Sequence, residues 1–268
     1  MVIQQEFNTE NNSSDWACIL GGSTGLGLAS AQKLARHGLN ICIIHRTRRS
    51  KLEAFKKECT SIENEGVKLK TFNADVLDKG TRQEVIRFFL DTNSIVKVLL
   101  HSIARGNLKP IFSDVNKSLL SGEDFTLTAQ AMAISLYEWS KVFADSKLFA
   151  KNARILSFTS EGSRKPLPNY AAVSAAKAAL EAITRSLAYE FAPLHITANC
   201  IQAGITNTES LKLIPGSEKL KEDALKRNPQ KRLTKPEDVA NVVYLLAKEE
   251  ANWINGTIIP VDGGEHLR

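Results

Sequence analysis

A tyrosine and a lysine seven residues apart, Tyr170 and Lys177, are the side chains of this sequence best suited to acid–base chemistry. They lie in an Ala-rich run that follows Pro168 and Asn169, and this composition predicts a helix. Seven residues turn a helix by about 700°, so both side chains should leave the same face. Because a nearby ammonium favours the phenolate, we expect Lys177 to lower the pKa of Tyr170 and to ease proton donation. The alternative is a half-buried aromatic residue beside a solvated lysine.

Three glycines in a GxxxGxG pattern follow the first predicted strand, which covers residues 16–20. Glycines at this place permit a tight turn, and the helix that follows presents free N–H groups to an anion. The motif therefore predicts a dinucleotide-binding loop, the alternative being a plain glycine-rich turn. The residues expected to contribute are Gly21, Ser23, Thr24, Gly25, Leu26 and Gly27.

Arginines stand at the end of the second predicted strand, where a site for NAD usually carries an acidic residue for the ribose hydroxyls. Here the positions are Arg46, Arg48 and Arg49. Guanidinium groups suit a 2′-phosphate, so the sequence predicts NADPH rather than NADH. A solvated basic helix start is a credible alternative for Arg48 and Arg49, and less so for Arg46.

Short apolar runs alternate with amphipathic helical patterns along the chain. The predicted strands are 16–20, 39–44, 67–72, 95–100, 154–158, 196–201 and 257–261. The predicted helices are 26–37, 51–64, 81–90, 125–149, 170–191 and 236–248. This alternation predicts the α/β class: a single Rossmann-type doubly wound domain, with a seven-stranded parallel sheet and helices on both faces. Segments 105–122 and 204–235 follow strand ends, where such sheets bind their ligands.

Length and composition fit one domain at residues 15–268, preceded by a flexible, polar lead-in at 1–14 that does not resemble a secretory signal. Hydrophobic residues make up 43 % of the chain and charged residues 24 %. No apolar run reaches the roughly 18 residues of a membrane span, so we expect no membrane insertion.

The cysteines are scattered, with no CxxC pair, so we expect neither disulfides nor metal binding. This use of cysteine predicts a cytoplasmic location. The net charge of +6 would suit nucleic acid, an acidic partner or phosphates. Nucleic acid is disfavoured, because the basic run 46–57 contains Phe55 as its only aromatic residue.

The glycine loop, the Tyr/Lys pair and Val261-Asp262-Gly263-Gly264 together resemble the short-chain dehydrogenase/reductase family over about residues 15–265. That family usually spaces its tyrosine and lysine as YxxxK, but the fourth position after Tyr170 is Ser174. The YxxxxxxK spacing resembles the enoyl-acyl-carrier-protein reductases of the family, as do segment 100–104 and Pro168-Asn169. Among bacterial enzymes of this subgroup, the glycine loop and the segment from residue 203 onward resemble the NADPH-dependent style, whereas 101–104 resembles the NADH-dependent style.

The resemblance implies NADPH-dependent reduction of trans-2-enoyl thioesters to acyl thioesters in fatty acid biosynthesis. Tyr170 would donate a hydrogen bond to the thioester oxygen, and Lys177 would hold the nicotinamide ribose hydroxyls. Ser160 stands where many such enzymes have a second tyrosine, and it would either bind substrate or only pack. Segment 128–131 offers no equivalent of the family's asparagine, which puts the family's usual proton relay in doubt.

Further contacts are implied by the same resemblance. Asp75 would meet adenine, unless it is merely an exposed loop carboxylate, and Thr206 would lie near the carboxamide or pyrophosphate, unless it is a helix N-cap. The remaining cofactor contacts are Val76, Ser102, Ile103, Ala104, Lys177, Gly204 and Ile205. The substrate contacts are Ala104, Tyr170, Ala203 and Leu211.

Segment 204–235 is expected to form a lid over the substrate. Its apolar residues would cover an acyl chain: Ile205, Leu211, Leu213, Ile214, Leu220 and Leu225. Its basic residues would meet an acidic acyl carrier protein that bears the enoyl substrate, with a solvated helical surface as the alternative. In this family the helices predicted at 125–149 and 170–191 pair across subunits, so we expect a homotetramer.

Two rival functions remain at this stage. A reductase of 3-oxoacyl thioesters or small ketones in the same family predicts YxxxK. A dinucleotide-sensing protein without catalysis predicts the loss of Tyr170 or Lys177, and both are present.

Overall fold

The computed structural model describes residues 7, 14–115 and 118–268. The flexible lead-in expected at 1–14 lies outside these residues, apart from Phe7 and Ser14. Phe7 is buried, its N–H donates to the carbonyl of His37 at 2.9 Å, and its ring packs edge-on against Tyr244.

In the part of the chain that the structure describes, seven strands form one sheet in the order β3-β2-β1-β4-β5-β6-β7, and every neighbouring pair is parallel. The chain runs outward from β1 to β3 and then returns to the other side of β1 with β4. This reversal opens a crevice at the carboxyl ends of β1 and β4, where such sheets bind nucleotides. The predicted fold class is confirmed. The strands are Asp15–Leu20, Asn40–His45, Leu69–Asn73, Ile95–His101, Phe149–Ser160, Thr197–Ala203 and Ile258–Val261.

Helices cover both faces of the sheet, because side chains of each strand alternate between two apolar layers. In β1, Trp16 and Cys18 face the layer of α3, α5 and α6, whereas Ala17 and Ile19 face that of α1, α2 and α9. The short α7 and α8 lie within segment 204–235. The helices α1 to α9 are Gly25–Arg36, Leu52–Glu63, Lys79–Asp91, Gly122–Ala129, Ser135–Asp145, Ala171–Glu190, Glu209–Lys212, Ser217–Arg227 and Pro236–Ala247.

The helix predicted at 125–149 is wrong at both ends. It begins at Gly122, because Ser121 and Asp124 form a capping box. It ends at Asp145, because Lys147 takes the left-handed conformation with φ 54°. Phe149 belongs instead to β5, which is longer than the strand predicted at 154–158. Between α4 and α5, residues Gln130–Ile134 form a π-helical turn.

Within the described ranges, no helix is both long and apolar enough to cross a membrane.

Candidate active site

The glycine loop sits at the crevice, packed against the end of β4. A side chain at Gly21 would place its Cβ 2.5 Å from the Ser102 carbonyl oxygen, and one at Gly27 would lie 2.5 Å from the carbonyl of Gly21. Thr24 at the N-cap of α1 makes no side-chain hydrogen bond, and the first turn carries no acidic residue. The first-turn N–H groups of α1 therefore have no side-chain cap at Thr24 and no acidic residue beside them, which fits a pyrophosphate.

The residues after β4 complete this crevice. The N–H of Ser102 donates to the carbonyl of Leu20 at 2.8 Å, which joins the β4 loop to β1. Ile103 packs into the apolar cluster around Tyr170, and Ala104 is exposed beside it. All three residues follow the carboxyl end of β4, and their contacts with a cofactor stay a prediction.

A carboxylate contacts two guanidinium groups in the loops that follow β2, β3 and β4. Asp75 Oδ2 accepts from Arg46 Nη1 at 2.7 Å and from Arg105 Nη1 at 3.1 Å. Partial burial alone would raise the pKa of Asp75, but the N–H of Leu77 and both arginines lower it below its usual range. Val76, by contrast, is buried in the core, and its carbonyl accepts from the Trp139 indole at 2.9 Å.

Tyr170 is the N-cap of α6 rather than its first helical residue. Its ring is 8 % exposed and crosses Gly162, where an added Cβ would lie 2.7 Å from the ring. Its apolar neighbours come from the π-helical turn, from α6 and from the loops around them. They are Ala131, Met132, Val173 and Ala176, with Leu77, Ile103, Leu108, Leu167 and Ile214 at the edge.

The expectation that Lys177 lowers the pKa of Tyr170 is wrong in this structure. Burial raises the pKa of the phenol, and only the hydroxyl of Ser160 acts in the opposite direction. Ser160 is the last residue of β5, in register with Ala203 of β6. Its Oγ is buried and forms no regular hydrogen bond among the described residues. Ser160 therefore belongs to the site, next to the phenol.

Lys177 lies further along α6, and its buried side chain reaches β5. Its Nζ donates to the carbonyl of Phe158 at 2.5 Å. Burial lowers the pKa of the ammonium to about 8, and the nearby Cys200 and Glu181 act against that shift. Glu181, one turn further along α6, accepts from the hydroxyl of Thr159 at 2.6 Å. An ammonium and a carboxylate are thus held by consecutive residues of β5.

A buried histidine flanks the same region. His101 is fully enclosed, and its Nε2 lies 2.8 Å from Ser135 Oγ. That hydroxyl also donates to the carbonyl of Ala131, at 2.8 Å, in the π-helical turn. Burial, and then the charge of Lys177, lower the pKa of His101 to about 3, so the ring is neutral at physiological pH.

The loop after β6 is fixed from the far end of the chain. The N–H of Ile205 donates to Glu265 Oε2 at 3.2 Å, and Thr206 Oγ1 donates to the carbonyl of Gly204 at 2.9 Å. The N-cap of the next helix is Thr208 rather than Thr206. Residues 204–206 therefore form one ordered turn at the end of β6.

The lid contributes Ile214, not Leu211, to the tyrosine cluster. Leu211 is buried elsewhere, and Leu213 is 73 % exposed. Ala203 packs with the opposite apolar layer. The predicted substrate contacts at Leu211 and Ala203 are therefore not gathered around Tyr170 by this structure.

Two residues that position other parts of the site were missed in the sequence analysis. Arg227 of α8 contacts both Glu161, at 3.0 Å, and Glu265, at 2.8 Å, and so ties the lid to the end of β5. Gly106 lets its loop approach α6, because an added Cβ would lie 2.5 Å from Val173. The isolated glycine after Arg105 was the only local signal for that close approach.

The comparisons with known proteins agree with this geometry. A family model described as "Enoyl-(Acyl carrier protein) reductase" matches residues 21–266. A short-chain type dehydrogenase/reductase of Picea abies is 30 % identical, over 93 % of this chain and 91 % of that protein. The 3-oxoacyl-[acyl-carrier-protein] reductase MabA of Mycobacterium bovis is 28 % identical, over 92 % and 90 %.

A solved structure extends the agreement to the whole fold. The enoyl-[acyl-carrier-protein] reductase (NADH) of Aquifex aeolicus superimposes with a TM-score of 0.80 at 24 % identity. The match covers 95 % of this chain and 97 % of that one. At this level of identity the likeness concerns the fold alone.

Proposed function

The chain belongs to the short-chain dehydrogenase/reductase family of oxidoreductases, and from that premise we propose that it is an NADPH-dependent enoyl-acyl-carrier-protein reductase. It would reduce trans-2-enoyl thioesters to acyl thioesters in fatty acid biosynthesis. The observation that carries the proposal is the YxxxxxxK spacing, which leaves Tyr170 at the N-cap of α6 in an apolar cluster and Lys177 buried against β5.

The state of the phenol supports this reaction. Because burial raises its pKa, Tyr170 keeps its proton at neutral pH. A thioester oxygen that gains charge as an enolate needs a hydrogen-bond donor, and such a donor acts most strongly in the transition state. Ser160 beside the hydroxyl would orient it. The apolar neighbours Leu108, Leu167 and Ile214 would accommodate the acyl chain next to the thioester.

The residues present fit a dinucleotide. When bound, NADPH supplies the hydride. The glycine loop and the first turn of α1 would hold its pyrophosphate, and the turn at residues 204–206 would meet the nicotinamide side. Lys177, with a pKa of about 8, is mostly protonated at pH 7 and would hold the ribose hydroxyls. Arg46 in place of an acidic residue is the reason to prefer NADPH over NADH.

We also propose an acyl carrier protein as the bearer of the substrate, a homotetramer as the assembly and the cytoplasm as the compartment. The lid presents basic side chains to solvent, among them Lys219 and Lys226. Along the helical run 122–145, Leu127 and Tyr137 are 55 % and 47 % exposed, which suits a subunit interface. All four cysteines are free, in keeping with a reducing compartment.

The test is NADPH oxidation followed with crotonyl and acetoacetyl thioesters side by side. We expect turnover of the crotonyl thioester. The similarity to MabA favours 3-oxoacyl reduction as the second candidate. Turnover of the acetoacetyl thioester alone would establish that activity and refute enoyl reduction.

A further inference from the structure

Two arginines, each in the loop after a different strand, share a single carboxylate oxygen. The Nη1 atoms of Arg46 and Arg105 lie 2.7 and 3.1 Å from Asp75 Oδ2, so they are no further apart than about 5.8 Å. Arg46 follows β2, Asp75 follows β3 and Arg105 follows β4. Three strand ends therefore converge at the adenosine end of the crevice.

Both guanidinium groups remain able to bind a ligand. Their side chains are 59 % and 55 % exposed. Within the described part of the chain, each makes one hydrogen bond, through Nη1 to Asp75. Nε and Nη2 of Arg46 and of Arg105 are thus available as donors, and planar guanidinium groups bind phosphate through such pairs.

We propose that Arg105 is a second 2′-phosphate-binding residue, which grips the cofactor phosphate together with Arg46. The inference rests on the proposed use of NADPH and adds a residue from the β4 loop to it. A phosphate presents several acceptor oxygens on one compact group, so it can bridge two donors at this spacing. Asp75 sets that spacing, because its other oxygen, Oδ1, is fixed by the N–H of Leu77 at 3.0 Å.

Charge supports the same assignment. The two arginines and Asp75 together carry a net charge of about +1, which attracts a phosphate dianion. Without the carboxylate, two cations this close would repel each other. Asp75 remains ionised at physiological pH, because Leu77 and the arginines lower its pKa. The carboxylate therefore holds the arginines together ready for the ligand.

The experiment measures dissociation constants by calorimetry for the full chain without cofactor. The ligands are NADPH and NADH, and then 2′,5′-ADP and 5′-AMP, which isolate the 2′-phosphate. The variants are Arg46→Ala, Arg105→Ala and the double variant. Arg87→Ala is the charge-matched control, since Arg87 is an exposed arginine on α3. Circular dichroism confirms that each variant is folded.

We expect Arg105→Ala to weaken the binding of NADPH and of 2′,5′-ADP about tenfold or more, because a charge-assisted hydrogen bond is lost. The dissociation constants of NADH and 5′-AMP should change less than about twofold in this variant. In Arg87→Ala, the dissociation constants of all four ligands should change equally little. Arg105→Lys, which keeps the charge, should recover part of the loss.

Two results would overturn the inference. If Arg105→Ala weakened the binding of ligands with and without the 2′-phosphate equally, Arg105 would only support Asp75. If binding were not weakened at all, Arg105 would not belong to the site. In either case, selective loss of NADPH binding in Arg46→Ala would leave the proposed cofactor intact. If the unmodified protein bound NADH at least as well as NADPH, the proposed cofactor itself would fail, and the inference with it.

Discussion

The free energy of unfolding of the Lys177→Met variant, relative to that of the native chain, should be higher at pH 7 than at pH 9. The buried ammonium has a pKa of about 8, against 10.5 for an exposed lysine. The unfolded chain therefore binds the proton more tightly than the folded one. Between those two values the folded protein gains stability as the pH rises, because the ammonium that burial penalises is lost.

The magnitude follows from the two pKa values. Burial of Lys177 destabilises the fold by about 3 kcal/mol at pH 7, where the buried group is mostly charged. Above the folded pKa the cost is that of releasing the proton on folding, and it falls to about 2 kcal/mol at pH 9 and about 0.4 kcal/mol at pH 10.5. Methionine has a similar length and no charge, so it removes this cost. It also leaves the carbonyl of Phe158 without its donor, which costs about 1–3 kcal/mol independently of pH. The pH dependence, rather than the absolute difference, is therefore the test.

The assay is urea unfolding at pH 7, 8 and 9, followed by circular dichroism at one protein concentration. The stability of Lys177→Met minus that of the native chain should fall by about 1.3 kcal/mol between pH 7 and pH 9. Lys219→Met, at an exposed position on α8, serves as the control and should give a constant difference. A difference for Lys177→Met that is constant or rises with pH would refute the reasoning.

Three more predictions concern the neighbouring groups and the assembly. His101 has a pKa of about 3 in the fold against 6.5 unfolded, so its contribution to stability should fall by about 2 kcal/mol from neutral pH to pH 5; His101→Gln should flatten that acid dependence in urea titrations. Tyr170→Phe should keep NADPH binding and reduce the enoyl rate by roughly 10²–10³; unchanged enoyl reduction with abolished 3-oxoacyl reduction would identify a ketoreductase. Light scattering should give a tetramer, and the mass of a 29.5 kDa monomer at micromolar concentration would contradict it.

Features set by local sequence could be predicted well. The backbone of the glycine loop lies so close to neighbouring carbonyl groups that Gly21 and Gly27 leave no room for a side chain. The glycine motif in the sequence predicted this close approach. The alternation of apolar strands and helices was sufficient for the doubly wound sheet, because β1, β2, β4 and β6 are buried on both faces. The boundaries of the helix predicted at 125–149 failed, since periodicity does not reveal the left-handed residue Lys147.

Features set by distant contacts could not be predicted. The spacing of Tyr170 and Lys177 said nothing about burial, and burial decides the direction of both pKa shifts. The lid at 204–235 stays a prediction, and the apolar spacing of that segment could not show that Ile214, rather than Leu211, packs near Tyr170. The meeting of Arg46 and Arg105 at one carboxylate requires three strand ends in one place.

The bond between Ile205 and Glu265 has a consequence for the order in which the protein is assembled during synthesis. The glycine loop and β1 are translated first, and their contacts with β2 and β4 are complete once about residue 101 has emerged. The turn at residues 204–206 lacks its anchor until residue 265 is available, and Arg227 of the lid shares that anchor. A ribosome-bound chain that stops before residue 265 therefore contains the glycine loop with its strand partners, whereas the turn at residues 204–206 still lacks its contact with Glu265.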